Sequence, residues 1–166
     1  MATAASATHL PPVGAHERDE VGRQLQATLV ELIDLSLVGK QFHWTVVGPN
    51  FRSLHLQLDE LVDAWRTLSD TVAERAVALG SFPDGQANAV VEGPGRPAIS
   101  VGPIPDTEVV NELLRRVAEV SERTRTRAER LAELDLASQD VLIDVLRALE
   151  QQQWMLRAQL GHARDA

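Results

Sequence analysis

Two pairs of side chains that could bind a metal ion lie four residues apart on one predicted helix. The first pair is His55 and Asp59, and the second is Asp70 and Glu74. This spacing puts both members of a pair on one helix face, with Cβ atoms about 5–6 Å apart. A fifth candidate, His43, precedes them in HWTVVGPNF. Mixed imidazole and carboxylate ligands suit iron and are tolerated by zinc, so the residue types indicate metal chemistry without selecting the metal.

The two pairs are too far apart to share an ion within one chain. From His55 to Asp70 is a rise of about 22 Å along the helix. Two copies of this helix that cross antiparallel near Trp65 would instead bring the first pair of one chain beside the second pair of the other. The pairs differ by only about 60° around the helix axis, so both face the same partner. The spacing therefore predicts a metal site divided between two subunits.

A site inside one bundle is disfavoured by a missing motif. Di-iron bundles of the usual type carry Glu-x-x-His on two helices. Here the residues three before His43, His55 and His162 are Lys40, Arg52 and Gln159. Burying several carboxylates is costly unless a cation neutralises them, which favours a bound metal.

The bulk composition is that of a single globular domain. The chain has 166 residues, of which 44% are hydrophobic and 24% charged. It has no cysteine, which excludes disulfides, thiolate metal sites and thiol nucleophiles, and fits a reducing compartment. The N-terminal residues lack the features of a signal peptide, and no apolar run approaches the ~20 residues of a membrane span. We expect a soluble, cytoplasmic protein with no membrane partner.

The charge distribution argues against nucleic acid as a partner. The net charge is −8, Lys40 is the sole lysine, and neither lysine nor arginine precedes Arg18. Phosphate repels such a surface unless a basic segment compensates. The arginines of residues 115–130 alternate with glutamates, and we interpret them as a solvated helix face with i,i+4 pairs: Arg115, Arg116, Arg123, Arg125, Arg127 and Arg130.

The candidate ligands require two long helices joined by a tight turn. Residues 1–14 are small, polar and proline-containing, which predicts a flexible N-terminal tail. A first helix begins near residue 15, and its apolar stripe carries His43 inward: Leu25, Leu29, Leu32, Ser36 and His43. Gly48 and Pro49 break the helix. Asn50 is the expected N-cap of a second helix, from Phe51 to about Leu79, which stops at Gly80.

The rest of the chain predicts two more helices after a long connection. Residues 81–106 are rich in glycine and proline and too long for a simple turn. Asp106 or Thr107 should cap a third helix to about Leu134, and Ser138 a fourth that ends before Gly161. The prediction is an all-α, ferritin-like four-helix bundle over residues 15–161, with a short C-terminal tail at 162–166.

The sequence resembles the Dps family, the miniferritins named for DNA protection during starvation. The segments that carry the resemblance are KQFHWTVVGPNFRSLHLQLDELVDAW, LSDTVAERAVALG and ALEQQQWMLRAQL. The resemblance implies a twelve-subunit shell built from two-fold dimers, with a short helix in the connection between helices 2 and 3. It also implies a ferroxidase that oxidises Fe(II), preferring hydrogen peroxide, at di-iron centres between subunits, and that stores ferric oxide inside the shell.

The resemblance also implies roles for the candidate residues. It places His43, Asp70 and Glu74 on one subunit, and His55 and Asp59 on the two-fold partner. Glu74 is then the candidate to bridge two irons. Trp44 matches a family tryptophan near the centre, with either a redox role or a place in the core. Asp140, with Asp135 and Asp144 nearby, corresponds to the acidic three-fold pores that guide iron inward, although Asp140 could simply complement a helix dipole.

The family name suggests an alternative function, a nucleoid-associated protein that protects DNA by coating it. DNA binding in such proteins usually depends on lysine- or arginine-rich tails. This chain departs from that pattern, because its first seventeen residues contain neither lysine nor arginine. A tail without lysine or arginine neutralises few phosphates and so displaces few of the counterions that surround DNA. We therefore expect DNA binding to be weak or absent.

Overall fold

The computed structural model of the protein describes residues 10–93 and 97–161. In these residues the chain forms five helices and a pair of two-residue strands: α1 Ala15–Thr45, β1 Val46–Val47, α2 Phe51–Ala78, α3 Ala87–Glu92, β2 Ile104–Pro105, α4 Asp106–Leu131 and α5 Leu136–Gln159. The four long helices form the predicted bundle. Short connections join α1 to α2 and α4 to α5, whereas the long connection carries α3 and β2.

The bundle core is built from the predicted stripes. Leu25, Leu29 and Leu32 of α1 are buried, and Ser36 and His43 follow them inward. Leucines and valines of the other three helices complete the core. Burial of such apolar faces, rather than helix propensity, provides most of the stability of helices in proteins.

A close approach of α1 to α2 fixes the middle of the bundle. A Cβ added to Gly39 would lie 2.7 Å from both the Trp65 ring and a Val62 methyl group. Trp65 is fully buried, and its Nε1–H donates to Gln152 Oε1 of α5 at 2.8 Å. A helix crossing could therefore lie at the height of residue 65 along α2, but the Trp65 side chain packs inside its own bundle and cannot contact a partner.

The two ends of α2 follow the sequence prediction. Asn50 is the N-cap residue, although its side chain makes no capping hydrogen bond. At the other end Gly80 has φ +81°, and Ser81 N donates to Ala76 O at 3.0 Å. This left-handed glycine closes the helix in the way the sequence indicates.

The predicted starts of the last two long helices need correction. Asp106 is the first residue of α4 rather than its cap, and the helix ends at Leu131, not near Leu134. The cap of α5 is Asp135, whose side chain accepts from Ser138 N at 3.1 Å, so Ser138 lies inside the helix. Asp135 is the better cap because its carboxylate also accepts from Arg75 Nη2 at 2.6 Å.

Part of the arginine-rich face of α4 is buried, contrary to the prediction. Arg115 does pair with glutamates on the exposed side. Arg116, however, is only 2% exposed and donates to Pro97 O at 2.7 Å. Arg127 is also buried and lies 2.5 Å from Glu31 of α1. Alternation of sign along the sequence did not reveal that Glu31, a buried glutamate on another helix, would pair with Arg127.

The N-terminal boundary differs in part from the predicted tail. Leu10 lies against Gly80, and Val13 packs on the core. Arg18 Nε donates to Val13 O at 3.0 Å, which ties this segment to α1. The remainder of the predicted tail, residues 1–9, and the predicted C-terminal tail, residues 162–166, lie outside the described residues. Among the residues described, no helix has the length and apolar composition needed to cross a membrane.

Candidate metal centre

His43 and His55 meet at the junction of α1 and α2. His43 is in the last turn of α1, and His55 is in the second turn of α2. Their rings stack with centroids 3.7 Å apart and planes inclined by 21°. The turn of residues 46–50 reverses the chain, so two histidines twelve residues apart become neighbours.

Each histidine ring is held by the main chain of the other. His43 Nδ1 lies 3.0 Å from His55 O, and His55 Nδ1 lies 2.9 Å from His43 O. A carbonyl only accepts, so both Nδ1 atoms carry the proton and donate. In the neutral tautomer that fits these bonds Nε2 has the lone pair, which is how histidine metal ligands are commonly oriented. The arrangement leaves both rings ready to bind a cation through Nε2.

Asp59 adds a carboxylate to the two rings. One of its oxygens lies 3.3 Å from His43 Nδ1 and forms an ion pair with Lys40. The hydrogen bond from Lys40 lowers the pKa of Asp59, and outweighs the smaller opposing effect of burial. Asp59 is therefore an anion at neutral pH, and Lys40 competes with any metal for it.

The second pair of candidate ligands lies farther along α2. Asp70 and Glu74 are both exposed. Neither carboxylate makes a hydrogen bond or an ion pair with another residue that the structure describes. Their neighbour Arg75 points away from them, to Asp135 at the N-cap of α5 and to Ser138 within it. Asp70 and Glu74 are thus free to face a partner.

The structure corrects the division of ligands that the resemblance implied. His43 stacks on His55 of its own chain, whereas Asp59 and Asp70 are separated by about 16 Å of helix. His43 therefore belongs with His55 and Asp59 and cannot share an ion with Asp70 and Glu74 of the same chain. Within the described residues of one chain, no group of three or more such side chains is arranged to hold a metal ion.

The aromatic residues around the histidines are mostly at the surface. Trp44 is 70% exposed, so the alternative that it fills the core is wrong. The Phe51 ring lies 5.1 Å from the His55 ring and is itself half exposed. Leu56 is also exposed. Large apolar side chains at a site that is incomplete in one chain are typical of a surface that a partner covers.

The three aspartates of the predicted pore lie in different environments. Asp140 is exposed in the first turns of α5, as a pore residue must be. Asp144 is exposed as well, but forms an ion pair with Arg147. The Asp135 carboxylate accepts hydrogen bonds from Arg75 and from the Ser138 hydroxyl. Burial raises the pKa of Asp135, but the hydrogen bonds from Ser138 and Arg75 outweigh it, and the pKa is lowered.

Sequence reasoning did not identify Lys40 or Asp106 as part of this region. Lys40 is three residues before His43, so helical spacing alone could have placed it on the same face. Asp106 is distant in sequence, and no local pattern links it to the turn between α1 and α2. Its carboxylate nevertheless accepts from Asn50 N at 2.8 Å.

Comparisons with known proteins agree on one family. The family described as ferritin-like domain matches residues 22–166. The DNA protection during starvation protein of Mycolicibacterium smegmatis is 36% identical over 158 residues, 93% of this chain and 84% of that protein. DpsA14 from Streptomyces coelicolor superposes with a TM-score of 0.88 at 35% identity, over 94% of this chain and 93% of that one. The high iron form of Dps from Microbacterium arborescens gives a TM-score of 0.86 at 28% identity, over 92% and 99%.

Proposed function

The chain belongs to the Dps family of ferritin-like proteins, and from that membership we propose that it oxidises Fe(II) at sites shared between two copies of the chain. In this proposal His43, His55 and Asp59 of one chain face Asp70 and Glu74 of the other. Hydrogen peroxide is the preferred oxidant, and the ferric product is stored inside a closed shell of twelve subunits. A related protein is known in a high iron form, which supports iron as the metal.

One observation carries the proposal: two complementary sets of ligands lie near opposite ends of α2, with His43 added to the first set from α1, and the sets are too far apart for one chain to bridge. The imidazole set is oriented through both Nδ1–H groups. The carboxylate set is exposed and unpaired within the described residues. A two-fold axis near the middle of α2 would place the imidazole set of each chain beside the carboxylate set of the other. Each dimer would then contain two identical sites.

The chemistry follows from the ligand types. Nitrogen and carboxylate donors together bind Fe(II) and also tolerate Fe(III). The carboxylate of Glu74 has two oxygens and can contact two ions at once. Two Fe(II) ions then give up one electron each, and hydrogen peroxide takes both as its O–O bond breaks, leaving both oxygens at the oxidation level of water. Paired electron supply avoids release of a hydroxyl radical.

The proposal includes a route for iron and a redox role for Trp44. Asp140 would line the three-fold pore, where a ring of negative charge raises the local concentration of Fe(II). Trp44 follows the ligand His43 and is exposed, so it would lie at the interface near the irons. An indole there could supply an electron when fewer than two Fe(II) ions are bound.

DNA coating is not included in the proposed function. The name of the M. smegmatis relative refers to DNA protection. In this chain, however, the net charge is −8 and the residues before Arg18 include neither lysine nor arginine. Electrophoretic mobility shifts at low and moderate salt would test this choice. Retardation that weakens steeply with salt would favour the alternative function.

The direct test is peroxide-dependent oxidation of Fe(II) by the double variant His43→Ala/Glu74→Ala. Each substitution removes a ligand from a different half of the site, so we expect the initial rate to fall to that of Fe(II) and peroxide without protein. Glu150→Ala is a suitable control, because among the described residues this exposed glutamate of α5 pairs with the exposed Arg125 alone. An unchanged rate in the double variant would overturn the proposal.

A further inference from the structure

We infer that Asp106 is a positioning residue for the imidazole half of the site, which it influences through the turn between α1 and α2. The inference rests on the proposed function for the meaning of the site, but not for the contacts that carry it. Asp106 is only 5% exposed and lies at the start of α4. It would touch neither iron nor peroxide.

The carboxylate of Asp106 joins the N-termini of two helices. Oδ1 accepts from Thr107 N at 2.8 Å, within the first turn of α4. Oδ2 accepts from Asn50 N at 2.8 Å, at the cap of α2. The first N–H groups of a helix have no partner within the helix, and an anion placed there is stabilised. One buried carboxylate thus fixes where α2 begins relative to α4.

The turn between α1 and α2 is shaped around this carboxylate. Gly48 has φ +134°, a conformation that residues with a side chain rarely adopt. A Cβ added to Gly48 would lie 2.7–2.8 Å from all three carboxyl atoms of Asp106. The carboxylate therefore packs directly on the glycine backbone, and neither could be enlarged without moving the turn.

The strand pair delivers Asp106 to this position. Val46 and Val47 pair in parallel with Ile104 and Pro105, and Asp106 is the next residue. Strand β1 begins at Val46, three residues after His43. The end of α1, the turn and the start of α4 are thus joined by main-chain hydrogen bonds, and Asp106 closes the connection to α2.

The histidine rings depend on this connection because their bonds are reciprocal. Each ring donates to the carbonyl of the other residue, at 2.9–3.0 Å. Both hydrogen bonds can form only if the end of α1 and the second turn of α2 do not shift relative to each other along their axes. His55 is five residues after Asn50, about 7.5 Å along the helix, so a displaced helix start moves its ring. Metal ligands must be held to within about 0.5 Å.

The test compares Asp106→Ala and Asp106→Asn with the parent protein in two measurements. The first uses protein labelled with ¹⁵N-histidine and records the imidazole signals by magic-angle-spinning NMR without metal. His43→Gln and His55→Gln assign the two rings. We expect Asp106→Ala to shift both Nδ1–H signals and Asp106→Asn to shift them less, because the amide keeps one acceptor oxygen. The second measurement is KM for Fe(II), which should rise roughly tenfold in Asp106→Ala, with a smaller change in kcat.

Glu31→Gln separates positioning from general destabilisation. It disrupts a buried ion cluster that lies about 18 Å from His43 along α1. It should therefore leave both ring signals and KM unchanged. Ring signals in Asp106→Ala that match the parent protein, or that shift equally in Glu31→Gln, would overturn the inference. If Asp106→Ala does not fold, Asp106→Asn decides by the same criteria. If the parent protein does not oxidise iron, the proposed function fails, while the ring signals still decide the role of Asp106.

Discussion

The two ends of α2 carry the two halves of one proposed site, and they are built in opposite ways. Near its start, His55 is stacked, hydrogen-bonded and joined by His43 and Asp59 of the same chain. Near its end, Asp70 and Glu74 are exposed and make no described contact. The imidazole half is therefore preorganised by folding, whereas the carboxylate half acquires its geometry only from a partner. Metal binding and pairing of chains should consequently stabilise each other.

The largest effect expected is complementation between two inactive variants. His43→Ala and Glu74→Ala should each abolish oxidation of Fe(II) by peroxide. After the two are unfolded together and refolded, about half of the dimers should be mixed, and each mixed dimer has one intact site. Activity should then return to about a quarter of the parent value. It is measured as the initial rate of Fe(II) oxidation.

Complementation also tests which residues share a half. If His43 belonged with Asp70 and Glu74 on one chain, no mixed dimer would contain an intact site, and activity would stay absent. A site within one chain predicts the same absence. His43→Ala mixed with His55→Ala is the matched control, because both lesions then lie in one half and no recovery is expected.

The second prediction compares the folding stability of the two halves. His55→Ala removes a ring stack and a hydrogen bond made within the chain, and should lower the free energy of unfolding by about 1–2 kcal/mol. Glu74→Ala removes a side chain that has no partner among the described residues, and should change the free energy of unfolding by less than about 0.5 kcal/mol. Urea unfolding of the metal-free protein measures both. Equal losses would contradict the contrast between the halves.

The third prediction concerns the anchor of the carboxylate half. Arg75, beside Glu74, bonds to Asp135 of α5. Asp135→Asn keeps a side-chain acceptor for the helix cap but removes the charge that pairs with Arg75, at a cost of about 1 kcal/mol at neutral pH. The pKa of Asp135 is lowered in the folded protein, so its contribution is fully present above the ordinary carboxyl pKa near 4.

Acid should therefore erase the difference between Asp135→Asn and the parent protein. As the pH falls through the folded-state pKa, Asp135 becomes protonated and its advantage disappears. Thermal unfolding followed from about pH 7 down to about pH 3 would show the two Tm values converging. A difference that persists in acid would assign the effect to packing rather than to charge.

The sequence was most informative where local pattern determines structure. The apolar stripe of α1 and the breaks at Gly48 and Gly80 predicted the two helices that carry every candidate ligand. The pairing of His43 with His55 was not predictable in this way. It depends on a left-handed glycine and on Asp106, which is more than fifty residues away in sequence and closes the turn through a single hydrogen bond to Asn50.

Burial of charge was the other property that local pattern missed. Arg116 and Arg127 alternate with glutamates in sequence and look solvated, yet both are buried. The reason for Arg127 lies on another helix, where Glu31 is itself only 4% exposed. Charge patterning reports neighbours within one helix, whereas burial is decided by the helix packed against it.

The smallest expected effect comes from Lys40, the competitor for Asp59. Lys40→Met should release the carboxylate and lower KM for Fe(II) about two- to fivefold, the range expected for an exposed ion pair. Lys40→Arg keeps the charge and is the control. Steady-state kinetics at constant ionic strength measure the change. An unchanged KM in Lys40→Met would show that Asp59 does not take part in binding iron.

The reciprocal bonds between His43 and His55 also bear on when the site can form during synthesis and assembly of the chain. The two residues are twelve positions apart, so their half can assemble as soon as the α1–α2 hairpin has left the ribosome, since local contacts form early. The carboxylates of that same nascent chain lie beyond reach. If iron chemistry needs both halves, a chain still being synthesised cannot carry it out. Oxidation then begins only after two finished chains have met, when a compartment for the product can exist.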